Sequence, residues 1–196
     1  MSLDSLTVTD EGIDVEKARE GTRLLLEAVG EDPAEAPFAE TWQRRVPEAL
    51  ATLTSGSRQE EKPQMRTFDA KTSDLVIKSG VPFYSLCKHH LLPYSGQATV
   101  AYRPSDEMVG LSKLTRYVRW QSRRLTTQEE VTEDIATGLR EELNAEAVMV
   151  EISATHLCEA MRGINTESDT STRAISGDAT ETEQRRFNQA ITQKHE

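Results

Sequence analysis

Cysteine and histidine are scarce in this chain, and they are not scattered. Both cysteines and three of the four histidines fall in two short strings, Cys87-Lys88-His89-His90 and His156-Leu157-Cys158. Thiolate and imidazole are zinc ligands, so any fold that uses them as such must bring these two distant strings together. If the second string continues a strand, residues two apart share a face, and His156 and Cys158 converge on one point. Cys87, Cys158 and one histidine of the His89-His90 pair make three ligands, the number that leaves the fourth tetrahedral position of zinc open for water and hence for catalysis. A structural zinc clip closes with four ligands, and His195, the remaining histidine, is expected in a frayed tail. The other histidine of the pair and His156 are then free to move protons near neutral pH.

Charge and length narrow the setting. A net charge of -10 argues against nucleic acid as a general partner, since backbone binding needs a basic surface. The chain lacks an apolar run of membrane-spanning length and a basic-then-apolar leader, so neither a membrane nor secretion is indicated and a cytoplasmic protein is expected. In that reducing compartment the two cysteines read as metal ligands rather than a disulfide. With 196 residues there is enough chain for one good-sized core with a helical extension.

Hydrophobic patterning supplies the elements. The segment to Gly12 is polar and expected without structure. A helix is predicted from Asp14 as N-cap to Gly30 as C-terminal cap, and a second from Phe38 to Gly56, with Pro47 forcing a kink or a new start. Strands are predicted at Met65–Phe68, Leu75–Lys78, Pro82–Leu86 and 96–102. Two adjacent helices follow, one over Ser112–Arg123 and one from Thr126 or Thr127, where Thr followed three residues later by Glu makes a capping box. Ala147–Ala154 alternates as a strand with one buried face, and a strand near Ser171–Ser176 and a helix near Glu183–Ile191 close the chain. The order is α+β, with no internal repeat.

Ser112, Lys113 and Arg116 at a helix N-terminus, with Arg162-Gly163 after the second string, suit an anionic substrate, phosphate above all. Taken singly, each is as well explained as an exposed helix charge or a turn residue. Gln128-Glu129, read alone, is a solvated first helical turn, where acids favour the dipole.

The ordered set Cys87-Lys88-His89-His90, Gly110-Leu111-Ser112-Lys113-Leu114-Thr115-Arg116, Arg124-Leu125-Thr126-Thr127-Gln128-Glu129 and His156-Leu157-Cys158 with Met161-Arg162-Gly163 resembles the signature of the zinc-dependent GTP cyclohydrolase I family. The resemblance runs from Phe83 to Gly177 and includes Thr170 and Thr172. It implies zinc held by Cys87, His90 and Cys158, with His89 and His156 as acid/base histidines. Glu129, supported by Gln128, would hold the guanine edge, and Ser112, Lys113, Arg116 and Arg162 the triphosphate and ribose. The implied reaction opens the guanine imidazole ring of GTP at C8, releases formate and yields 7,8-dihydroneopterin triphosphate. The implied architecture is the tunnelling fold, an antiparallel sheet backed by a helix pair, over residues 65–196, preceded by an N-terminal helical region over 1–64. Its subunits form a homo-oligomer, usually a decamer, with active sites between subunits.

Two positions depart from the family pattern. Trp42 stands where proline is usual, and Lys88 replaces a usual glutamate, reversing a charge beside the metal. The alternatives are a tunnelling-fold relative acting on a pterin or deazaguanine, and a non-catalytic zinc- or GTP-binding paralogue. The Cys/His/Cys set opposes the first and Lys88 keeps the second open.

Overall fold

The computed structural model describes residues 13–193, so the polar segment to Gly12 and His195 lie outside the described residues. Helix α1 (Val15–Ala28) begins where expected, with the Asp14 carboxylate accepting the Lys17 N–H at 3.0 Å. Gly30, at φ +91°, follows its last turn in the left-handed conformation that glycine adopts at no steric cost.

The second predicted helix stays helical through a π-helical turn ahead of Pro47. It divides into α2 (Phe38–Glu40), a π-helical turn over Thr41–Arg45 and α3 (Val46–Leu53), with Pro47 inside the first turn of α3. Proline cannot donate to the carbonyl four residues back, that of Gln43. The Arg19 side chain supplies that bond instead, Nε to O at 2.9 Å, which also ties α1 to the π-helical turn.

Two strands are very short: β1 (Thr67–Asp69), which overlaps the strand expected at Met65–Phe68, pairs antiparallel with β4 (Glu107–Val109), which periodicity missed. The main sheet contains β2 (Val76–Cys87), β3 (Pro93–Arg103), β5 (Leu125–Thr126), β6 (Ala147–His156) and β7 (Asp169–Gly177), in the order β5-β2-β3-β6-β7. All neighbours are antiparallel except β5, which runs parallel to the end of β2. The two strands expected at Leu75–Lys78 and Pro82–Leu86 are one strand, β2, with an irregularity between Lys78 and Val81 where Gly80 takes φ +70°. Pro82 is tolerated within it because β3 does not use that backbone side: the Pro82 carbonyl instead accepts from Arg119 Nε at 3.4 Å.

Helices α4 (Leu111–Ser122) and α5 (Gln128–Leu143) cover one face of the sheet. Buried Leu114, Val118, Val131, Ile135 and Leu139 meet Ala98, Val100, Tyr102, Val148, Val150 and Ile152 there. The opposite face, expected to be polar along β6, is also covered at one end. Helix α7 (Glu181–Thr192) lays Phe187, 1 % exposed, against Met149, Ala101 and Leu75. No helix among the described residues is long and apolar enough to cross a membrane.

Candidate active site

Strand β2 ends at Cys87 and the chain turns back at once into β3. The Cys87 N–H donates to the Leu92 carbonyl at 2.9 Å, and the Cys87 carbonyl accepts from His90 and Leu91 at 3.3 and 2.8 Å, with Leu91 at φ +56°. This turn brings the His90 ring back over Cys87. The second string does not continue as a strand, contrary to the alternation argument. β6 stops at His156, and a short helix α6 (Leu157–Ala160) starts, so Cys158 reaches the turn from a helical residue while His156 stays on the sheet.

The result is a trio. One donor atom each from Cys87, His90 and Cys158 lies within 4.8 Å of the others, and Cys87 Sγ stands 3.6 Å from His90 Nδ1. With zinc bonds of about 2.3 Å to sulfur and 2.05 Å to nitrogen, tetrahedral geometry requires an S···N separation of about 3.6 Å and an S···S separation of about 3.8 Å. The donor set and its spacing therefore fit zinc. Burial and the adjacent Cys87 sulfur push the Cys158 thiol up, the behaviour of two thiols that need a cation between them to ionise together. His89 is exposed beside this trio, its ring edge-on to that of His90 at 6.3 Å.

His156 is held by two contacts that residue spacing gave no hint of. Its ring stacks on Tyr94 at a centroid distance of 4.6 Å and an interplanar angle of 4°, and its Nε2 lies 2.8 Å from Gln128 Oε1. Gln128 is 1 % exposed, and its amide nitrogen donates to the carbonyls of Ile152 at 3.0 Å and Thr170 at 2.8 Å. Both acceptors lie on the nitrogen side, so the amide cannot be flipped and its oxygen must face His156. An amide oxygen only accepts; His156 therefore carries its proton on Nε2 and leaves Nδ1 as the free lone pair. Burial holds the His156 imidazolium below its ordinary range, with Glu129 and Glu159 opposing. Gln128 was expected to support the guanine-binding carboxylate, but its side chain is committed inward. Glu129, its neighbour in the first turn of α5, is exposed.

Lys88, the departure beside the metal turn, is not a stray charge. Its ammonium pairs with Glu130, whose other oxygen accepts from the Thr127 N–H at 3.1 Å and the Thr126 hydroxyl at 3.2 Å. The capping box of α5 is thus Thr127–Glu130, and Lys88 lowers the Glu130 carboxyl to about 2 chiefly by hydrogen bonding. Thr126 pairs with Cys87 in the sheet, so one carboxylate ties the metal turn to the helix that carries Gln128 and Glu129.

The cations divide between the ends of the molecule. Arg162, exposed after α6, is near enough to Cys158 to act on it electrostatically. Ser112, Lys113 and Arg116 lie on α4. α4 starts just after Val109, whose N–H donates to the Tyr102 hydroxyl at 3.1 Å, whereas Tyr94 marks the His156 end of the same strand. Eight residues of β3 separate them, roughly 27 Å at the usual rise. Ser112 and Lys113, in the first turn of α4, therefore start at the end of the sheet away from the trio, and the helix runs back toward it, with the Arg124 carbonyl accepting from the Leu86 N–H at 3.3 Å.

A family description reading "GTP cyclohydrolase I" matches residues 18–193. Among curated relatives, the GTP cyclohydrolase 1 of Hyperthermus butylicus is 42 % identical over 166 residues, covering 85 % of this chain and 84 % of its own length. The enzyme of the same name from Campylobacter lari is 40 % identical over 174 residues, 87 % of this chain and 91 % of its own. Clostridium perfringens strain 13 has another, 40 % identical over 153 residues, 78 % of this chain and 82 % of its own. With the match spanning nearly all described residues, the chain belongs to the GTP cyclohydrolase I family.

Proposed function

We infer that this chain is a GTP cyclohydrolase I that uses zinc held by Cys87, His90 and Cys158 to open the guanine imidazole ring of GTP. The observation that carries this reading is the three-donor trio, with spacing suited to zinc, beside a histidine of fixed tautomer. When bound, zinc supplies hydrolytic water at neutral pH by lowering its pKa to roughly 7. His156 accepts or returns a proton at Nδ1 while Gln128 keeps the ring fixed, and exposed His89 is the second proton carrier. The Glu129 carboxylate accepts from the guanine N–H groups. Arg162 takes part of the substrate's negative charge near the metal, and Ser112, Lys113 and Arg116 take the triphosphate. The products are formate and 7,8-dihydroneopterin triphosphate.

The start of α4 at the far end of the sheet from the metal turn supports a site completed by a second copy, in which one subunit's Ser112 and Lys113 face another's metal turn. β7 is a sheet edge with an exposed outer row, suited to pairing with such a copy. We therefore read residues 65–196 as a tunnelling-fold domain in a ring-shaped homo-oligomer, a decamer by family pattern, with residues 1–64 as its helical region. Two free thiols serving as ligands suit the cytoplasm. Zinc-loaded protein incubated with GTP should release formate and a pterin that fluoresces after oxidation, both lost on chelation. Bound GTP without formate would overturn the reading.

A further inference from the structure

Tyr94 lies on β3 directly opposite Ser85 of β2 and His156 of β6, and it is 1 % exposed. Two residues before it, the Leu92 carbonyl accepts the Cys87 N–H at 2.9 Å and so places the metal turn. Two residues after it, Gly96 pairs with Ala154. A Cβ at Gly96 would stand 1.9 Å from the Ser153 carbonyl oxygen, so β3 and β6 are pressed together beside the pair that Tyr94 makes with His156. One short stretch of β3 thus borders both of the distant Cys/His strings.

The Tyr94 ring is itself anchored. Phe83, also 1 % exposed, meets it at a centroid distance of 6.0 Å and an angle of 74°, the edge-to-face arrangement that aromatic pairs favour. The His156 imidazole lies flat on the ring at 4.6 Å and 4°, whereas Gln128 reaches the same imidazole only at Nε2. A hydrogen bond at one atom fixes an edge of the imidazole and leaves it free to swing about that bond; a parallel aromatic face removes the swing. The Tyr94 hydroxyl is buried and has no hydrogen-bond partner among the described residues. A buried hydroxyl without a partner is a cost, so what this position uses is the flat ring.

We propose that Tyr94 is a positioning residue: anchored by Phe83 and tied through Leu92 to the metal turn, its ring fixes the plane of the His156 imidazole, and with it the distance and angle at which Nδ1 meets a substrate held at the Cys87/His90/Cys158 trio. Tyr94 acts only through His156. What His156 does in turnover rests on the cyclohydrolase reading; how its ring is held does not.

Two measurements on full-length, zinc-loaded protein test this, one of them independent of GTP. Carbethoxylation by diethyl pyrocarbonate, located by peptide mass spectrometry, should reach His156 severalfold faster in Tyr94→Leu than in wild type, with exposed His89 modified at the same rate in both. Tyr94→Phe, which keeps the ring, should match the wild type. In formate release, Tyr94→Leu should lower kcat about tenfold with KM within about twofold, short of the roughly 100-fold worth of a 1 Å misplacement because Gln128 still holds Nε2, and Tyr94→Phe should recover the loss. Tyr94→Leu combined with Gln128→Leu should lose less than the product of the two single losses, since both side chains hold one ring. Metal analysis and a urea melt establish that each variant is loaded and folded, and Tyr94→Met, which fills the space without a flat face, replaces the leucine variant if that one does not fold. Unchanged His156 reactivity without the ring, equal losses in the leucine and phenylalanine variants, or a double loss equal to the product would each overturn the proposal. The expected reactivity in a wild-type preparation that binds GTP and releases no formate would sink the cyclohydrolase reading and leave the hold on His156 standing.

Discussion

Replacing Gln128 by Leu tests whether the imidazole of His156 works because it is held. Leucine occupies a similar volume but leaves the Ile152 and Thr170 carbonyls and the His156 Nε2–H without their partners. A stranded buried polar group costs about 1–3 kcal/mol. Only the Ile152 carbonyl is deeply enclosed, because Thr170 is exposed and His156 is half-buried, so water can replace part of the other two bonds. We expect a net loss of about 2–4 kcal/mol, tolerable within a total stability of 5–15 kcal/mol. Turnover should suffer more. A free His156 can rotate about χ1 or change tautomer, and a misplacement of about 1 Å at a reacting group is worth about 100-fold. Formate release by folded protein, followed with a urea melt of the same preparation, should show kcat reduced by about that factor with KM little changed and zinc retained. Gln128→Glu separates the two effects. It preserves an acceptor for Nε2–H while turning an oxygen toward two carbonyls, so it should lose stability yet keep more activity than the leucine variant. Formate release at the wild-type rate from folded Gln128→Leu protein would refute the tautomer argument.

Lys88→Glu, which restores the usual family residue, should here weaken the protein's hold on zinc against a competing chelator, because two carboxylates would then face each other at Glu130; Lys88→Glu combined with Glu130→Lys should recover it. Equal zinc retention in all three proteins would show that the strap between the metal turn and α5 does nothing. Phe187→Ala should lower stability by about 3–5 kcal/mol in a urea melt, since the ring is 1 % exposed and anchors α7 to the sheet's second face. Burial pushes the Glu183 carboxyl up, but the Thr180 N–H and hydroxyl and Arg103 pull it down further, to a net value below the ordinary one of 4.5. Its contribution is therefore present above pH 4.5 and lost as the pH falls through the lowered value, so wild type and Glu183→Gln should differ in stability at pH 7 and converge at the acid end of a pH series.

What could be read in advance, and what could not, divides by the range of the forces involved. Caps are local chemistry: Asp14 and the Thr127–Glu130 box announce their helices within four residues, and α1, α4 and α5 stand close to where periodicity puts them. β4 and β5 are two or three residues long and exist because a partner strand lies alongside, so no period could reveal them. The same holds for the buried Met149 face of β6, which looks half-polar until Phe187 arrives from a helix nearly forty residues later. At the site, residue type alone pointed to Cys87, Cys158 and one histidine of the His89-His90 pair, because few side chains bind zinc, and the turn after β2 brings His90 to the two cysteines. Position within it was another matter: alternation placed His156 with Cys158, and the start of α6 parted them. Gln128 illustrates the limit most sharply. Glutamine beside an exposed glutamate at a helix start reads as a solvent-facing pair, yet one residue of helical rotation, about 100°, points Glu129 outward and Gln128 into the sheet beneath His156. Adjacent positions on a helix thus take opposite duties, one to meet a ligand and one to hold the group that acts on it, and only the packing of α5 on β6 decides which is which.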